Sequence, residues 1–183
     1  MKSLPESLDS LLAREWTREE SFDYCAGLAR RHYENFHLGS FLFPRKLRHH
    51  LYAIYAYCRW ADDLADEVGD DATRGRGLLE RFAEWVEAPF HGAPPRHPVF
   101  VALADSVQRF RLPKRAFLDL LVAFRWDLEK SRWATFEELL EYCRYSANPV
   151  GRLFLGLYGV EEDEARPLAD ATCTGLQLAN HWQ

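Results

Sequence analysis

Residues 51–67 read LYAIYAYCRWADDLADE, an apolar and aromatic stretch that ends in a run of acidic side chains. Residues three and four positions apart share one face of a helix, and in this stretch that face carries Tyr52, Tyr55, Arg59, Asp62 and Asp66. Asp62 and Asp66 would differ by only about 40° around the helix axis. Most other positions are apolar, so the stretch predicts a buried helix with two carboxylates that point the same way at its end.

Two carboxylates at the end of a buried helix require a compensating charge, because like charges four residues apart oppose the helix by roughly 0.2–0.5 kcal/mol. One candidate partner is a basic side chain. The other is a hard divalent cation such as Mg²⁺, which proteins bind through few carboxylates together with substrate phosphate. A third interpretation is a solvated acidic face, and spacing alone does not distinguish the three.

Composition indicates a globular protein with a sizeable apolar core. The chain has 183 residues, of which 48% are hydrophobic and 14% aromatic, so we expect one domain over residues 1–183. The net charge of −5 gives no sign of a nucleic-acid partner, and we expect none. The four cysteines show no metal-ligand spacing, so we expect buried thiols rather than disulfides.

Basic side chains cluster before the acidic run, at residues 30–32 and 45–50. A solvated face is the default interpretation, although a diphosphate or an anionic membrane surface would also attract them. No run of 18 apolar residues occurs, and the N-terminus lacks the apolar stretch of a signal peptide. We therefore expect a cytoplasmic protein that touches a membrane only at its periphery, if at all. The sequence does not indicate an oligomeric state.

Helical periodicity recurs along the chain, and strand-like alternation is absent. We expect a loose lead-in over residues 1–17 and a proline-rich connection over residues 88–98. The predicted helices cover residues 17–32, 44–68, 72–87, 99–110, 113–129, 135–158 and 167–183. Capping-box spacings at Thr17 and Thr135 predict two of the helix starts, and Pro149 predicts a kink. The predicted fold class is all-α.

Several ordered motifs resemble those of the squalene/phytoene synthase family. The first is His32-x-x-Asn35-Phe36, and the second runs from Tyr55 through Arg59-x-x-Asp62-Asp63-x-x-Asp66. Later motifs are Asn148-Pro149-Val150-Gly151 and Gln177-x-x-Asn180. The resemblance runs from about residue 20 to residue 183, and an ordered set of motifs is more specific than any one of them. The Asn148-Pro149-Val150-Gly151 form and the ending LQLANHWQ at residues 176–183 are most similar to the branch that makes hydroxysqualene in bacterial hopanoid biosynthesis.

The resemblance implies a helical bundle of the isoprenoid-synthase type with a central active-site cavity. It also implies that Mg²⁺ ions, held by two acidic motifs, bind the diphosphate of an isoprenoid substrate. The metal ligands that it assigns are Asp62 and Asp66, with Asp63 as a further acid. The catalytic residues that it assigns are Tyr55, Arg59, Asp62 and Asp66. The substrate-binding residues are His32, Asn35, Phe36, Arg45, Arg48, Gln177 and Asn180.

The sequence departs from the family pattern after Asn180. In the family a second acidic motif follows the Gln-x-x-Asn motif by about one helical turn, whereas this sequence stops at Gln183. We therefore expect a fragment from which the C-terminal helices of the family are absent. We also expect residues 1–183 alone to turn over no substrate, because one acidic motif supplies half of the metal ligands.

Three functions are compatible with the resemblance. The first is Mg²⁺-dependent conversion of presqualene diphosphate to hydroxysqualene with loss of diphosphate. The second joins two farnesyl or geranylgeranyl diphosphates head to head, as squalene and phytoene synthases do. The third is a non-catalytic assembly factor of the same fold, whose mark would be loss of the aspartates. The presence of Arg59, Asp62 and Asp66 argues against the third.

Overall fold

The structure is a computed structural model that describes residues 8–31, 43–66, 72–92, 96–130, 132–160 and 162–182. Within these ranges the chain contains helices and no β-strand, which confirms the predicted all-α fold class. The α-helices of these ranges are α1 (Leu8–Leu12), α2 (Arg18–Arg31), α3 (Arg45–Asp66), α4 (Ala72–Glu87), α5 (Pro98–Phe110), α6 (Lys114–Glu129), α7 (Phe136–Ser146), α8 (Asn148–Tyr158) and α9 (Glu162–His181). A 3-10 helix at Ala88–His91 follows α4. No helix in the described ranges combines the length and the apolar composition that a membrane span requires.

The helices belong to two compact units. The first contains residues 1–63 and 84–111, and the second contains residues 64–83 and 112–183. In the first unit, α5 packs against α2 and against the 3-10 helix. In the second unit, α9 packs against α8 and α7, while α6 also packs against α7 and α8. The single domain expected over residues 1–183 stays a prediction.

Two helix starts follow the predicted capping boxes. At the start of α2, the backbone N–H of Glu20 donates to Oγ1 of Thr17 at 3.2 Å, and the backbone N–H of Thr17 donates to Oε2 of Glu20 at 2.9 Å. At the start of α7, the backbone N–H of Glu138 donates to Oγ1 of Thr135 at 3.1 Å. The N–H groups of a first helical turn have no partner within the helix, so both threonines determine where their helices begin.

Part of the expected lead-in is helical. Helix α1 buries Leu11 completely, and the indole N–H of Trp16 donates to the carbonyl of Leu11 at 2.8 Å. The connection predicted over residues 88–98 also begins with regular structure, because Ala88–His91 forms the 3-10 helix. Pro89 is buried there, in the first turn of that helix, where its missing N–H removes no internal hydrogen bond.

Two predicted helix boundaries are wrong, and both involve prolines. The helix expected over residues 135–158 is divided at Ala147 into α7 and α8. Pro149 has no N–H to continue the helix and its ring clashes with the preceding turn, so the helix is interrupted here and a new helix starts at Asn148. The last helix begins at Glu162 rather than at Pro167, which lies inside α9. There Pro167 removes one hydrogen bond, and the packing of α9 against α8 stabilises the remainder.

Helix α3 is buried, as the sequence predicts. Leu51, Ile54, Tyr57 and Trp60 are each at most 1% exposed. Trp60 also donates its indole N–H to the hydroxyl of Tyr24 on α2, at 3.2 Å. These contacts fix α3 within the first unit, and they therefore determine where the acidic residues at its end lie.

Two polar pairs join α8 and α9 in the second unit. Arg152 donates from Nε and Nη2 to the two carboxylate oxygens of Asp170, at 3.1 and 2.8 Å. Oγ1 of Thr174 donates to the side-chain oxygen of Asn148 at 2.9 Å. Asn148, the earlier residue of α8, pairs with Thr174, the later residue of α9, and Arg152 pairs with the earlier Asp170. The two helices therefore run antiparallel. Because both pairs are directional, they fix the register of α9 on α8.

Gly151 lies between these pairs, where an added Cβ would lie 2.8 Å from Sγ of Cys173. We expect Gly151→Ala to lower the free energy of unfolding by about 1–3 kcal/mol, because the two helices must separate to admit the methyl group. Urea denaturation followed by circular dichroism measures this loss. Removal of the sulfur in Gly151→Ala/Cys173→Ala should recover most of it.

The matched control for that experiment is Gly175→Ala on α9. Among the described residues, no atom outside the adjacent backbone of α9 lies within 4 Å of an added Cβ at Gly175. Alanine also favours a helix over glycine by about 1 kcal/mol. Gly175→Ala should therefore be as stable as the wild type or more stable. Equal losses in the two glycine variants would contradict the close approach of α8 and α9.

Two histidines of the first unit, His50 and His97, are fully buried. The ring centroid of His97 lies 4.7 Å from that of Trp60 and 5.8 Å from that of Trp85. Neither ring nitrogen of His97 has a hydrogen-bond partner among the residues that the structure describes. Burial lowers the pKa of His97 to about 3. Burial and the neighbouring charge of His49 lower the pKa of His50 to about 4, so both imidazoles are neutral at pH 7.

Acid should therefore destabilise the first unit through His97. The unfolded chain binds this proton near pH 6.5, so the stability that neutral His97 contributes is complete above pH 6.5 and is lost as the pH falls toward 3. Between pH 7 and pH 5, we expect the free energy of unfolding to fall by roughly 2 kcal/mol less in His97→Leu than in the wild type. Urea denaturation at both pH values measures the difference. His91→Gln, at an exposed histidine, is the control, and wild-type pH dependence in His97→Leu would refute this origin.

Candidate active site

The end of α3 brings three of the predicted site residues together. Arg59 lies one helical turn before Asp62 and Asp63. Nη1 of Arg59 lies 2.9 Å from Oδ2 of Asp62, and Nη2 of Arg59 donates to Oδ1 of Asp63. A single guanidinium therefore bridges two neighbouring carboxylates, which spacings of three and four residues along a helix allow.

The three side chains differ in their exposure to solvent. The side chain of Asp62 is 46% exposed, that of Arg59 is 27% exposed and that of Asp63 is 6% exposed. Burial alone would lower the pKa of Arg59, but the hydrogen bond to Asp63 and the charges of both aspartates raise the pKa above its usual value. The guanidinium is therefore a permanent cation between the protein interior and the solvent.

Two polar atoms of this cluster are buried without partners. Within the described part of the chain, no hydrogen-bond partner reaches Oδ2 of Asp63 or Nε of Arg59. A buried polar atom without a partner is unfavourable by roughly 1–3 kcal/mol. This lowers the net stability that the pair of Arg59 and Asp63 contributes.

The other predicted residues of α3 lie at different distances from this cluster. Tyr55 is half-buried one turn before Arg59 on α3. Arg45 is exposed at the first position of α3. Arg48 is half-buried and donates from Nε to the carbonyl of Phe43 at 2.9 Å. The structure thus places Tyr55 beside the acidic cluster and the two arginines at the opposite end of the helix.

The remaining predicted residues lie in the second unit or outside the described residues. Those outside are His32, Asn35, Phe36 and the side chain of Asp66. Gln177 and Asn180 belong to α9, where Gln177 is half-buried and Asn180 is exposed. Thr174 lies one turn before Gln177, and its bond to Asn148 fixes the rotation of α9 about its axis. Gln177 therefore has a defined orientation within the second unit.

A surface cleft of about 620 Å³ lies along α2 in the first unit. Arg14 stacks over the ring of Trp16 at 3.5 Å and forms an ion pair with Glu20 at 3.1 Å. The charges of Arg14 and Glu20 in this cleft therefore compensate each other. The residues that line the cleft are Arg14, Trp16, Glu20, Asp23, Tyr24, Gly27, Arg30 and Arg31. The sequence shows Arg30 and Arg31 as part of a basic cluster, but not the cleft, because the contact of Trp16 with Tyr24 in its lining is tertiary.

The described residues contain no group of three or more His, Cys, Asp or Glu side chains that could hold a metal ion. Asp62 nevertheless suits Mg²⁺, because its carboxylate supplies hard oxygen ligands and its side chain is 46% exposed. Mg²⁺ needs only one or two protein carboxylates where substrate phosphates supply further oxygens. Asp63 suits it less well, because its side chain is 6% exposed and bonded to Arg59.

A family model for squalene/phytoene synthases matches residues 29–183, which include the acidic cluster of α3 and the Gln177-x-x-Asn180 motif. The chain belongs to the squalene/phytoene synthase family. The resemblance found in the sequence is therefore confirmed.

Curated relatives agree with this family. The hydroxysqualene synthase of Sinorhizobium fredii is 37% identical over 150 residues, and that of Rhodopseudomonas palustris is 39% identical over 151 residues; each alignment covers 82% of this chain and 50% of the relative. The phytoene synthase of Arthrospira platensis is 35% identical over 148 residues, which are 81% of this chain and 47% of the relative. The chain thus spans about half the length of the curated relatives that it matches.

Solved structures of this family share the fold. Squalene synthase HpnC from Alicyclobacillus acidocaldarius matches with a TM-score of 0.84 and 44% sequence identity, over 91% of this chain and 62% of that chain. A dehydrosqualene synthase in complex with a ligand matches with a TM-score of 0.78 and 28% identity, over 89% of this chain and 56% of that chain. The expected isoprenoid-synthase type of fold is therefore confirmed.

Arg59 is the charge partner of a buried carboxylate, so its removal should destabilise the fold. We expect Arg59→Met to lower the free energy of unfolding by about 3–5 kcal/mol, because Asp63 is then buried without compensation. Thermal and urea denaturation measure the loss. The variant Arg59→Met/Asp63→Asn removes the uncompensated charge and should recover much of it.

The matched control is Arg115→Met on α6. Arg115 pairs with the buried Asp119 at 2.6 Å, but its side chain is 75% exposed and Asp119 retains Arg152 at 3.6 Å. The free energy of unfolding of Arg115→Met should therefore fall by less than about 1 kcal/mol. Similar losses for Arg59→Met and Arg115→Met would show that Arg59 does not compensate Asp63.

Proposed function

We propose that this protein converts presqualene diphosphate to hydroxysqualene, with Mg²⁺ as cofactor and release of diphosphate. The observation that carries the proposal is the pair formed by Arg59 and Asp62, 2.9 Å apart at the end of a buried helix. A half-exposed carboxylate can bind a metal ion, and a neighbouring guanidinium can contact the phosphate oxygens that share that ion. The names of the relatives from Sinorhizobium fredii and Rhodopseudomonas palustris support this choice of reaction.

The residues of α3 have distinct roles in this proposal. The carbon–oxygen bond to diphosphate breaks, and the bonding electron pair leaves with the diphosphate. Arg59 stabilises that leaving group by donating N–H groups to phosphate oxygens. Mg²⁺ held by Asp62 and Asp66 would neutralise further charge on the diphosphate. Tyr55 shares the face of Arg59, from which it can donate to a phosphate oxygen or stabilise a carbocation with its ring.

The carbon skeleton then rearranges, and the oxygen of a water molecule bonds to the carbocation and loses a proton to give the alcohol. In this proposal the residues that bind and orient the isoprenoid diphosphate are His32, Asn35, Phe36, Arg45, Arg48, Gln177 and Asn180. The half-buried position of Gln177 and the defined orientation of α9 support an orienting role for its amide. Such orientation lowers the barrier because the reacting groups are held in place before the reaction.

A second candidate is head-to-head condensation of two farnesyl or geranylgeranyl diphosphates. It is favoured by the relative from Arthrospira platensis, a phytoene synthase that is 35% identical to this chain. Both reactions ionise an isoprenoid diphosphate, so Arg59 and Asp62 would have the same roles in each. A non-catalytic assembly factor has less support, because its mark would be loss of the aspartates, whereas Asp62 and Asp66 are present.

The function is tested by the Asp62→Asn variant of the full-length protein. We expect product formation to fall by at least roughly 100-fold, because an amide binds Mg²⁺ far more weakly than a carboxylate does. Presqualene diphosphate and farnesyl diphosphate are supplied in separate incubations with Mg²⁺, and the products are measured by mass spectrometry. Hydroxysqualene from the first incubation supports the leading proposal.

Two controls define how this test can fail. Glu84→Gln, at an exposed glutamate of α4, should leave product formation unchanged. Product formation at the wild-type rate by Asp62→Asn would exclude a metal-binding role for Asp62. Squalene or presqualene diphosphate formed from farnesyl diphosphate would select the second candidate.

A further inference from the structure

We infer that Asp63 is a positioning residue: it holds Nη2 of Arg59 while Nη1 exchanges its contact with Asp62 for a contact with the substrate diphosphate. This inference rests on the proposed function, because it concerns how Arg59 is presented to a diphosphate. It assigns Asp63 to neither the metal nor the substrate. Asp63 acts only through the guanidinium that it holds.

The two carboxylates that Arg59 contacts differ in their exposure to solvent. Both contacts come from the terminal nitrogens of one planar guanidinium: Nη1 forms an ion pair with Asp62 at 2.9 Å, and Nη2 donates a hydrogen bond to Asp63. The two aspartates are adjacent in sequence, but the side chain of Asp62 is 46% exposed and that of Asp63 is 6% exposed. One end of the guanidinium thus faces the solvent side of the cluster and the other end faces the interior.

This difference in exposure makes one contact exchangeable and the other permanent. An ion pair between solvent-exposed side chains contributes little to stability, about 0–1 kcal/mol, because water replaces either partner readily. A buried carboxylate that loses its cation is left with an uncompensated charge, which is far less favourable. Arg59 can therefore leave Asp62 when another anion arrives, but it should not leave Asp63.

A single oxygen of Asp63 takes part in the contact with Arg59. Nη2 of Arg59 donates to Oδ1 of Asp63, and no residue in the described part of the chain donates to Oδ2. One bonded oxygen is sufficient to hold one nitrogen of the guanidinium in a fixed position.

Anchoring Arg59 would also favour diphosphate binding. An arginine side chain loses up to about 2 kcal/mol of conformational entropy when it is ordered, and this loss opposes binding if it occurs only when the ligand arrives. Because Asp63 already orders the guanidinium, diphosphate binding would not include this loss of side-chain entropy. Departure of Nη1 from Asp62 also frees that carboxylate, so diphosphate and Mg²⁺ should bind with positive coupling.

The inference is tested by binding rather than by turnover. Inorganic pyrophosphate is titrated into full-length protein at saturating Mg²⁺, and its dissociation constant is measured by isothermal titration calorimetry. We expect Asp63→Asn to weaken pyrophosphate binding by about tenfold, because the neutral amide holds the guanidinium less firmly. In an Arg59→Lys background the same substitution should change the binding by less than about threefold, since an ammonium group cannot bridge a carboxylate and a phosphate in the same way.

The matched control is Asp119→Asn in the second unit. Asp119 is 6% exposed and pairs with Arg115 at 2.6 Å, so it equals Asp63 in burial and in the type of partner. Asp119→Asn should lower the unfolding temperature and leave pyrophosphate binding within about twofold of the wild type. If Asp63→Asn does not fold by circular dichroism, Asp63→Glu replaces it, because glutamate keeps the charge and displaces the guanidinium; the same weakening of about tenfold is expected.

The outcomes distinguish this inference from the proposed function. Folded Asp63→Asn or Asp63→Glu that binds pyrophosphate as the wild type does would overturn the positioning role and leave the proposed function intact. Equal weakening in the wild-type background and in the Arg59→Lys background would show that Asp63 does not act through the guanidinium and would also overturn it. A wild-type protein that fails to bind pyrophosphate with Mg²⁺ would overturn the proposed function and this inference together.

Discussion

The guanidinium of Arg59 is the group on which the end of α3 depends. The carboxyl end of a helix carries a partial negative charge, and Asp62 and Asp63 add two carboxylates within the last turns of α3. The helix is buried along most of its length, so water cannot compensate all of this charge. Arg59 supplies a cation from within the same helix, at three and four residues from the two aspartates. A buried helix can therefore end in acidic residues and carry its own compensating charge.

The second unit solves a related problem with charges from different helices. Arg152 on α8 is 7% exposed and binds Asp170 on α9 with two hydrogen bonds, while Asp119 on α6 lies 3.6 Å from it. Truncation of one member of such a buried group is unfavourable, because it leaves a charge uncompensated. The group therefore permits few alternative registers of α8 and α9. In the first unit, the charges of Arg59 and its two aspartates form part of the candidate site. In the second unit, the charge group around Arg152 fixes α9, the helix that carries Gln177.

Local signals in the sequence predicted the helix starts well. Thr17 and Thr135 determine theirs through side-chain bonds to the first turn, and such bonds depend only on nearby residues. Predictions of helix boundaries failed where tertiary packing determines the boundary. Pro167 lies inside α9 because the packing of α9 against α8 stabilises the helix despite the missing hydrogen bond. The same limit applies to the candidate site. The spacing of Arg59 from Asp62 and Asp63 is visible in the sequence, but the burial of Asp63 depends on tertiary contacts. The residues predicted at 32–36 lie outside the described part of the chain.

The contacts of His97 with two tryptophans have a spectroscopic consequence. Indole fluorescence is quenched by a protonated imidazole, and the rings of Trp60 and Trp85 lie 4.7 and 5.8 Å from His97. Because burial keeps this imidazole neutral well below pH 6.5, emission from the two indoles should stay constant during mild acidification of the native protein. A change in their emission would then signal that the aromatic enclosure has opened, so the first unit contains an intrinsic optical reporter of its own integrity.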